Sequence, residues 1–224
     1  MKSLRQAIIG VVLLFFCTAC VSIPKPDYSK FFEHHPRSIV VVPPFNKTTA
    51  VDAPGMFTTT ISQPFAEKGY YIFPVFLTRD ILIDMGLSDE GLNSQVPPQR
   101  FRETFGADAV LFVTITAWTT TYVFLSSAVT VEAVYKLVDT DSGEVIWQTT
   151  QRAVQDSSGG GGGGGGLIGA LVAAAVKAAM TAMITDYRPL ARQANTFAVM
   201  KRRAGLPAGP YSADYKNDYP NYQD

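Results

Sequence analysis

The chain has two cysteines, Cys17 and Cys20, and they are separated by two residues. A C-x-x-C pair is typical of thiol–disulfide chemistry or of one half of a zinc site. The redox function needs a helix N-terminus beside a βαβ unit, and a tetrahedral zinc site needs two further Cys or His ligands. The surrounding sequence supplies neither context, so we interpret the pair as part of a targeting segment.

The residues around the pair follow the pattern of a secretory signal. Lys2 and Arg5 give a positive start, an apolar run covers 7–16, and the small residues Thr18 and Ala19 precede Cys20. The apolar run is too short for a membrane-spanning helix, which needs about 20 residues. An ordinary cleaved signal and an uncleaved anchor are the alternatives to a lipid-modified start.

The sequence from Cys17 to Cys20 resembles a bacterial lipobox, with Cys17 in the position that Leu usually occupies. The resemblance implies removal of the signal peptide 1–19, diacylglycerol on the Cys20 thiol and an acyl chain on its new amine. Several acyl chains hold a protein stably on a bilayer, whereas one holds it marginally. Val21 follows Cys20, where Asp would mark inner-membrane retention. The resemblance therefore implies an outer-membrane anchor with the domain in the periplasm.

Composition excludes several classes of function. Nineteen basic residues balance nineteen acidic ones, so binding to nucleic acid through its phosphates is not expected. Removal of 1–19 leaves Cys20 as the last cysteine, which excludes a disulfide and a cysteine metal site. The remaining length is sufficient for one domain with a substantial core.

The domain organisation follows from the hydrophobic pattern. Residues 20–37 are proline-rich and predict a lipidated tether, and the periplasmic domain is predicted for 38–204. Strands separated by helices come first and an antiparallel hairpin follows, which predicts an α/β fold with a mixed β-sheet and helices packed on it. The predicted strands are 38–42, 70–75, 109–117, 129–138 and 144–153, and the predicted helices are 53–68, 78–85, 97–105 and 190–203.

The glycine-rich run 157–166 predicts a flexible loop, because a phosphate-binding loop needs Lys and Ser or Thr directly after its glycines. Leu167 and Ile168 follow instead. Residues 167–187 place their large side chains on one helical stripe, which predicts a core helix. A homo-oligomer contact is the second interpretation of this helix. A membrane span is the third, because Lys177 adds about 3 kcal/mol to its insertion.

Residues 205–224 predict a flexible tail with two alternative roles. The tail has no core-forming pattern but carries Tyr211, Tyr215, Tyr219 and Tyr222. A disordered end is one interpretation. The other is a docking segment whose tyrosines fill pockets on a partner, since Tyr is enriched at binding hot spots.

Few residues could support catalysis. Glu33, His34 and His35 are adjacent in sequence, so their side chains diverge and a metal site is not expected. Asp80 and Asp84 lie one helical turn apart, and such a pair is most often solvated. Hydrolase, zinc-protease and dinucleotide-binding motifs are absent from the sequence. We therefore predict a protein that is not an enzyme and has no cofactor and no metal.

Three stretches carry a resemblance to envelope proteins: IVVVPPFNKT at 39–48, the Gly106-Ala107-Asp108 turn before 109–114, and YKLVDTDSGEVIW at 135–147. They resemble the TolB N-terminal domain and CsgG-type secretion lipoproteins. Nearly all of the mature chain is similar to a family of bacterial outer-membrane lipoproteins typified by a meningococcal genome-derived vaccine antigen. The resemblance implies a TolB N-terminal-like α/β fold and a CsgG-like partner lipoprotein, with no catalytic residues to transfer.

The resulting prediction is an outer-membrane lipoprotein that serves as a non-catalytic subunit or scaffold of an envelope assembly or export complex. The alternative is a periplasmic small-ligand-binding protein or enzyme that uses a cleft beside the sheet. An exposed apolar groove would favour the scaffold, and a closed pocket with convergent polar groups would favour the alternative.

Overall fold

The computed structural model describes residues 27–86, 96–123, 126–156 and 186–223. The predicted signal peptide 1–19, Cys20, the glycine-rich run and most of the predicted helix 167–187 lie outside these ranges. Within the described residues, no helix has the length and hydropathy needed to cross a bilayer.

A single mixed sheet organises the described chain, in the strand order β3-β1-β4-β5-β6 with β2 also paired to β4. Strands β3, β1 and β4 are parallel, as are β2 and β4, while β4, β5 and β6 form an antiparallel meander. The predicted mixed α/β architecture is confirmed. The strands are β1 Ser38–Val41, β2 Phe45–Asn46, β3 Tyr71–Ile72, β4 Ala109–Val123, β5 Ser126–Asp139 and β6 Val145–Asp156, and the helices are α1 Ser29–His34, α2 Ala53–Glu67, α3 Val75–Asp84, α4 Pro98–Phe105, α5 Arg188–Met200 and α6 Pro220–Gln223.

The first face of the sheet forms the larger core, against α1, α2 and α5. Alternation along β5 places one set of side chains on this face, and all of them are buried, as the sequence predicts. This set is Val129, Val131, Ala133, Tyr135 and Leu137. Phe57 and Phe65 of α2 and Ala194 of α5 pack in the same cluster.

A buried polar network crosses this core and joins β5, α5 and α2. The Tyr135 hydroxyl donates to Asn195 Oδ1 at 2.8 Å, and Asn195 Nδ2 donates to Thr60 Oγ1 at 3.0 Å. Thr60 in turn donates to the Phe57 carbonyl at 2.8 Å. Burial raises the pKa of Tyr135, which remains a neutral donor. Each member has a partner, as buried polar groups require.

The second face of the sheet is covered by α3 and α4. Leu82 of α3 and Phe101 of α4 pack on Val40, Val110 and Phe112 from β1 and β4. Strand β1 is therefore covered on both faces, which explains its uninterrupted apolar sequence.

Several predicted element boundaries are wrong. Helix α5 ends at Met200 and not at 203, and β4 continues to Val123 instead of ending at 117. The strand predicted for 70–75 has only two residues, because Pro74 precedes a helix that already begins at Val75. Thr78 was the predicted N-cap of that helix but is buried inside it. By contrast, α4 lies where it was predicted and ends at Gly106, whose φ of 68° closes the helix in the left-handed conformation.

The structure also differs from the predicted tether 20–37 and the predicted flexible tail 205–224. Tyr28 and Phe31 are buried in the core, and Leu206 and Ala208 are buried as well. The described parts of both terminal regions thus belong to the folded domain. The apolar residues in these two regions are too few to form a periodic pattern. The residues that they contact lie far away in the sequence.

Candidate partner-binding surfaces

The C-terminal segment, residues 205–223, is held against the domain by main-chain hydrogen bonds. Leu206 donates to the Val199 carbonyl at 2.9 Å, and Gly209 and Tyr211 donate to Lys68 and Gly69 at 2.9 and 3.1 Å. Gly69 has a φ of 95°, and a Cβ there would collide with the main chain of Ser212. This close approach therefore requires glycine.

Three tyrosine hydroxyls reinforce the segment at its first residues. Tyr28 donates to the Gly205 carbonyl and Tyr70 to the Pro207 carbonyl, both at 2.6 Å, and Tyr222 donates to the Leu206 carbonyl at 3.2 Å. Burial raises the pKa of Tyr28 and Tyr70 and raises that of Tyr222 to about 12. The phenols therefore remain protonated donors at neutral pH.

The four tail tyrosines predicted to dock on a partner have different environments. The Tyr222 ring lies 4.8 Å from Tyr28, and Tyr219 lies 4.5 Å from Phe32 of α1. Tyr215 packs edge-on against Tyr219 at 5.9 Å. Tyr211 is 70% exposed. Three of the four thus gather beside α1 of their own chain, and Tyr211 alone of the four lies mainly in solvent.

A partly buried ion pair joins Lys68 to the C-terminal segment. Lys68 Nζ lies 3.0 Å from Asp218 Oδ2, and both side chains are largely buried. The same carboxylate oxygen accepts a hydrogen bond from the Ala208 main chain at 2.9 Å. Sequence reasoning had no signal for this pair, because its members are distant in the chain.

His34 joins α1 to the β5–β6 turn through two carboxylates. Its Nδ1 lies 3.3 Å from Asp139 and its Nε2 lies 3.5 Å from Glu144, which also receives a 2.6 Å bond from Lys30. This bond from Lys30 lowers the pKa of Glu144. The Asp139 carboxylate also stabilises the turn, because its Oδ1 accepts a hydrogen bond from the Ser142 main-chain N–H. Among the described residues, no cluster of His, Cys, Asp or Glu is arranged to hold a metal.

The neighbours of His34 in sequence point elsewhere, as expected. His35 stacks near Tyr219, with its ring centroid 6.1 Å away, and Glu33 is exposed. Asp80 and Asp84 both lie on the exposed surface of α3. The structure therefore does not bring these residues together with His34 into a reactive site.

An apolar surface on α3 was missed by the sequence analysis. We define the α3 surface as Phe76, Leu77, Ile83 and Met85, which are 40–56% exposed, with Tyr71 of β3 at 51%. Leu82 and Thr78 are buried on the opposite side and fix the helix to the sheet. The available signal was the stretch VFLTRDILIDM at 75–85, which has more large apolar residues than one buried helix face can accommodate.

Comparison with known proteins places the chain in a family. The family described as "Putative lipoprotein GNA1162-like" matches residues 26–211. "Putative lipoprotein NMB1124/NMB1162" of Neisseria meningitidis serogroup B is 33% identical over 175 residues, which cover 77% of this chain and 80% of that protein. The crystal structure of lipoprotein GNA1162 from N. meningitidis has a TM-score of 0.52 and 34% identity, and the match covers 66% of this chain and 100% of the other.

A more distant structural match is the PelC dodecamer of Paraburkholderia phytofirmans. The match has a TM-score of 0.40 and 17% identity, and it covers 75% of this chain and 94% of the other. A likeness this weak supports no inference about assembly. The family match and the meningococcal relative are sufficient by themselves. They show that this chain belongs to the GNA1162-like lipoprotein family.

Proposed function

We propose that this chain is an outer-membrane lipoprotein, acylated at Cys20, whose periplasmic domain is a non-catalytic subunit or scaffold of an envelope assembly or export complex. Membership of a lipoprotein family supports the lipid anchor. Val21 after Cys20 favours the outer membrane over the inner one. The proposed partner is a CsgG-like lipoprotein of the same envelope.

The observation that carries the scaffold function is the α3 surface. Large apolar side chains that are exposed together on one element are typical of protein-binding sites, and the exposed Asp80 and Asp84 lie among them on α3. Phe76 and Leu77 are each more than half exposed, although burying such side chains stabilises a structure by about 1.5–3 kcal/mol each. Because Leu82 fixes the helix to the sheet, its main chain is already ordered, and binding a partner costs little conformational entropy there.

The test is co-purification from detergent-solubilised envelopes, with Phe76→Asp/Leu77→Asp compared with Val51→Asp. Val51 is 93% exposed in a loop and serves as the matched control. We expect the control to retain its partners and the α3 double variant to lose them, with equal melting temperatures. Equal recovery of the partners from both variants would exclude the α3 surface as the binding site.

The lipid anchor is tested separately. Intact-mass analysis of the native protein should show a chain that begins at Cys20 and carries diacylglycerol and an amide-linked acyl chain. The Cys20→Ser variant should be lost from the outer-membrane fraction. An unmodified N-terminus, or a serine variant with unchanged sorting, would refute the anchor.

Partner docking by the tail is proposed for Tyr211, the tail tyrosine with the greatest exposure. Deleting 206–224 would remove Leu206 and Ala208, which are buried, so a deletion would confuse folding with binding. Tyr211→Ala avoids this problem. Weaker partner recovery with this variant, at an unchanged melting temperature, is the expected result, and full recovery would eliminate the docking role of Tyr211.

A further inference from the structure

The chain turns sharply after α5 and exposes three consecutive cations. Lys201, Arg202 and Arg203 are all exposed. The turn closes because Ala204 and Gly205 donate to the Lys201 carbonyl, with Arg203 at a φ of 64°. Within the described residues, none of the three cations forms an ion pair with a carboxylate, in contrast to Lys68. Their charge is therefore available to an external anion.

Two exposed apolar side chains lie beside this basic turn. Phe197 and Met200, on the last turn of α5, are 44% and 39% exposed. Residues three apart on a helix are neighbours on one side of it. Apolar side chains next to Lys and Arg are typical of segments that lie in a bilayer interface. We call the five residues Phe197, Met200, Lys201, Arg202 and Arg203 the α5-end surface.

The position of Tyr28 relates the α5-end surface to the bilayer. The Tyr28 hydroxyl donates to the carbonyl of Gly205, which directly follows the basic turn and Ala204. Only the seven residues 21–27 separate Tyr28 from Cys20, and the eight steps between the two Cα atoms span at most about 28 Å. An acylated Cys20 therefore holds the α5-end surface within reach of the membrane, a step that rests on the proposed function.

We propose that the α5-end surface docks on anionic phospholipid headgroups of the leaflet that holds the acyl chains. The cations pair with headgroup phosphates while Phe197 and Met200 enter the headgroup layer. Each basic residue near an anionic bilayer strengthens binding about fivefold. The short tether raises the local concentration of headgroups, so a modest intrinsic affinity is sufficient. Asp27 precedes Tyr28 in sequence and carries one negative charge against these three cations.

The orientation of the anchored protein tests this proposal. The mature lipoprotein is reconstituted into vesicles of equal parts phosphatidylcholine and phosphatidylglycerol, with a nitroxide label on Phe197→Cys or, as control, Val51→Cys. Both natural cysteines lie in 1–20, so the new thiol is labelled specifically once Cys20 is acylated. We expect the label at 197 to be shielded from a water-soluble nickel chelate and the label at 51 to stay accessible. Equal accessibility would overturn the proposal.

Charge reversal supplies the second measurement. Lys201→Glu/Arg202→Glu should abolish the shielding at 197, whereas Lys47→Glu/Arg79→Glu, which removes the same charge from other exposed positions, should preserve it. Arg203 is left unchanged because its left-handed backbone constrains substitution. Shielding that survives the first reversal, or that is lost equally with the second, would refute docking by the α5-end surface.

Failure of the lipid anchor can be distinguished from failure of this proposal. Intact mass of the same preparation reports acylation of Cys20 independently of the label. If the chain carries no lipid, its co-sedimentation with the same vesicles remains informative. We then expect Lys201→Glu/Arg202→Glu to weaken binding by at least about 25-fold, since two cations are lost and two anions are added, and unchanged binding would overturn the proposal.

Discussion

The hydrogen bonds from Tyr28 and Tyr70 allow the packing of the C-terminal segment to be tested quantitatively. Both hydroxyls are buried and donate at 2.6 Å, one to the Gly205 carbonyl and one to the Pro207 carbonyl. Tyr28→Phe and Tyr70→Phe remove these donors and keep both rings. Each variant therefore isolates one hydrogen bond without creating a large cavity.

The expected cost of each substitution follows from the burial of both partners. A net hydrogen bond contributes about 0.5–1.5 kcal/mol, and the carbonyl left without its donor increases the loss, so we expect about 1–2 kcal/mol for each variant. For a chain of this size, each kcal/mol corresponds to a decrease in melting temperature of about 2–4 °C. Tyr71→Phe is the matched control, because Tyr71 is 51% exposed, and its stability should not change.

The double variant tests whether residues 205–208 detach as one unit. If the loss of one hydrogen bond already releases the segment, losing the second costs less. The double variant then loses less free energy of unfolding than the sum of the two single variants, by more than about 0.5 kcal/mol. Urea denaturation measures this difference, and the rate of tryptic cleavage after Lys216 reports release of the segment. Wild-type stability and wild-type cleavage in the double variant would refute the proposed packing.

Three further predictions concern the same core and its edges. The folded chain raises the pKa of Tyr222 from 10.0 to about 12. The contribution of this residue to stability is therefore complete below about pH 10 and is lost as the pH rises to about 12. Melting curves of the wild type and of Tyr222→Phe, measured across this pH range, should show the loss. Asn195→Ala should cost about 3 kcal/mol in urea denaturation, because it leaves the Tyr135 hydroxyl unpaired, and adding Tyr135→Phe should cost less than the sum of the single losses. Gly69→Ala should destabilise the fold by more than about 2 kcal/mol, since the φ of 95° and the Ser212 main chain oppose a Cβ. Gly55 lies in α2 with open space around it, so Gly55→Ala should stabilise the fold by about 0.5–1 kcal/mol. Unchanged melting of Gly69→Ala would contradict the close approach of the C-terminal segment.

The central sheet could be predicted because its signals are local. Alternation along β5 identifies its buried face, and the turn residues of DTDSG at 139–143 identify the β5–β6 hairpin. Pro98 and Gly106 mark the two ends of α4. Each of these signals lies within a few residues of the element that it specifies, so one sequence is sufficient to read it.

The terminal packing could not be predicted because it depends on contacts between distant residues. Tyr28 and Gly205 are 177 residues apart in sequence. Helix α1 has six residues, too few for a periodic pattern and too few for stability without tertiary contacts. The α3 surface was missed for a related reason, since Phe76 and Leu77 precede the predicted start of the helix at Thr78.

The two proposed surfaces belong to helices on opposite faces of the sheet, and this arrangement makes their functions separable. Helix α5 packs on the first face and α3 on the second, so an α5-end surface that rests on a leaflet leaves the α3 surface open to a protein. Lys201→Glu/Arg202→Glu should therefore alter the orientation on vesicles and leave partner recovery in detergent unchanged. Phe76→Asp/Leu77→Asp should do the reverse. Loss of both properties in either variant would show that the two surfaces do not act independently.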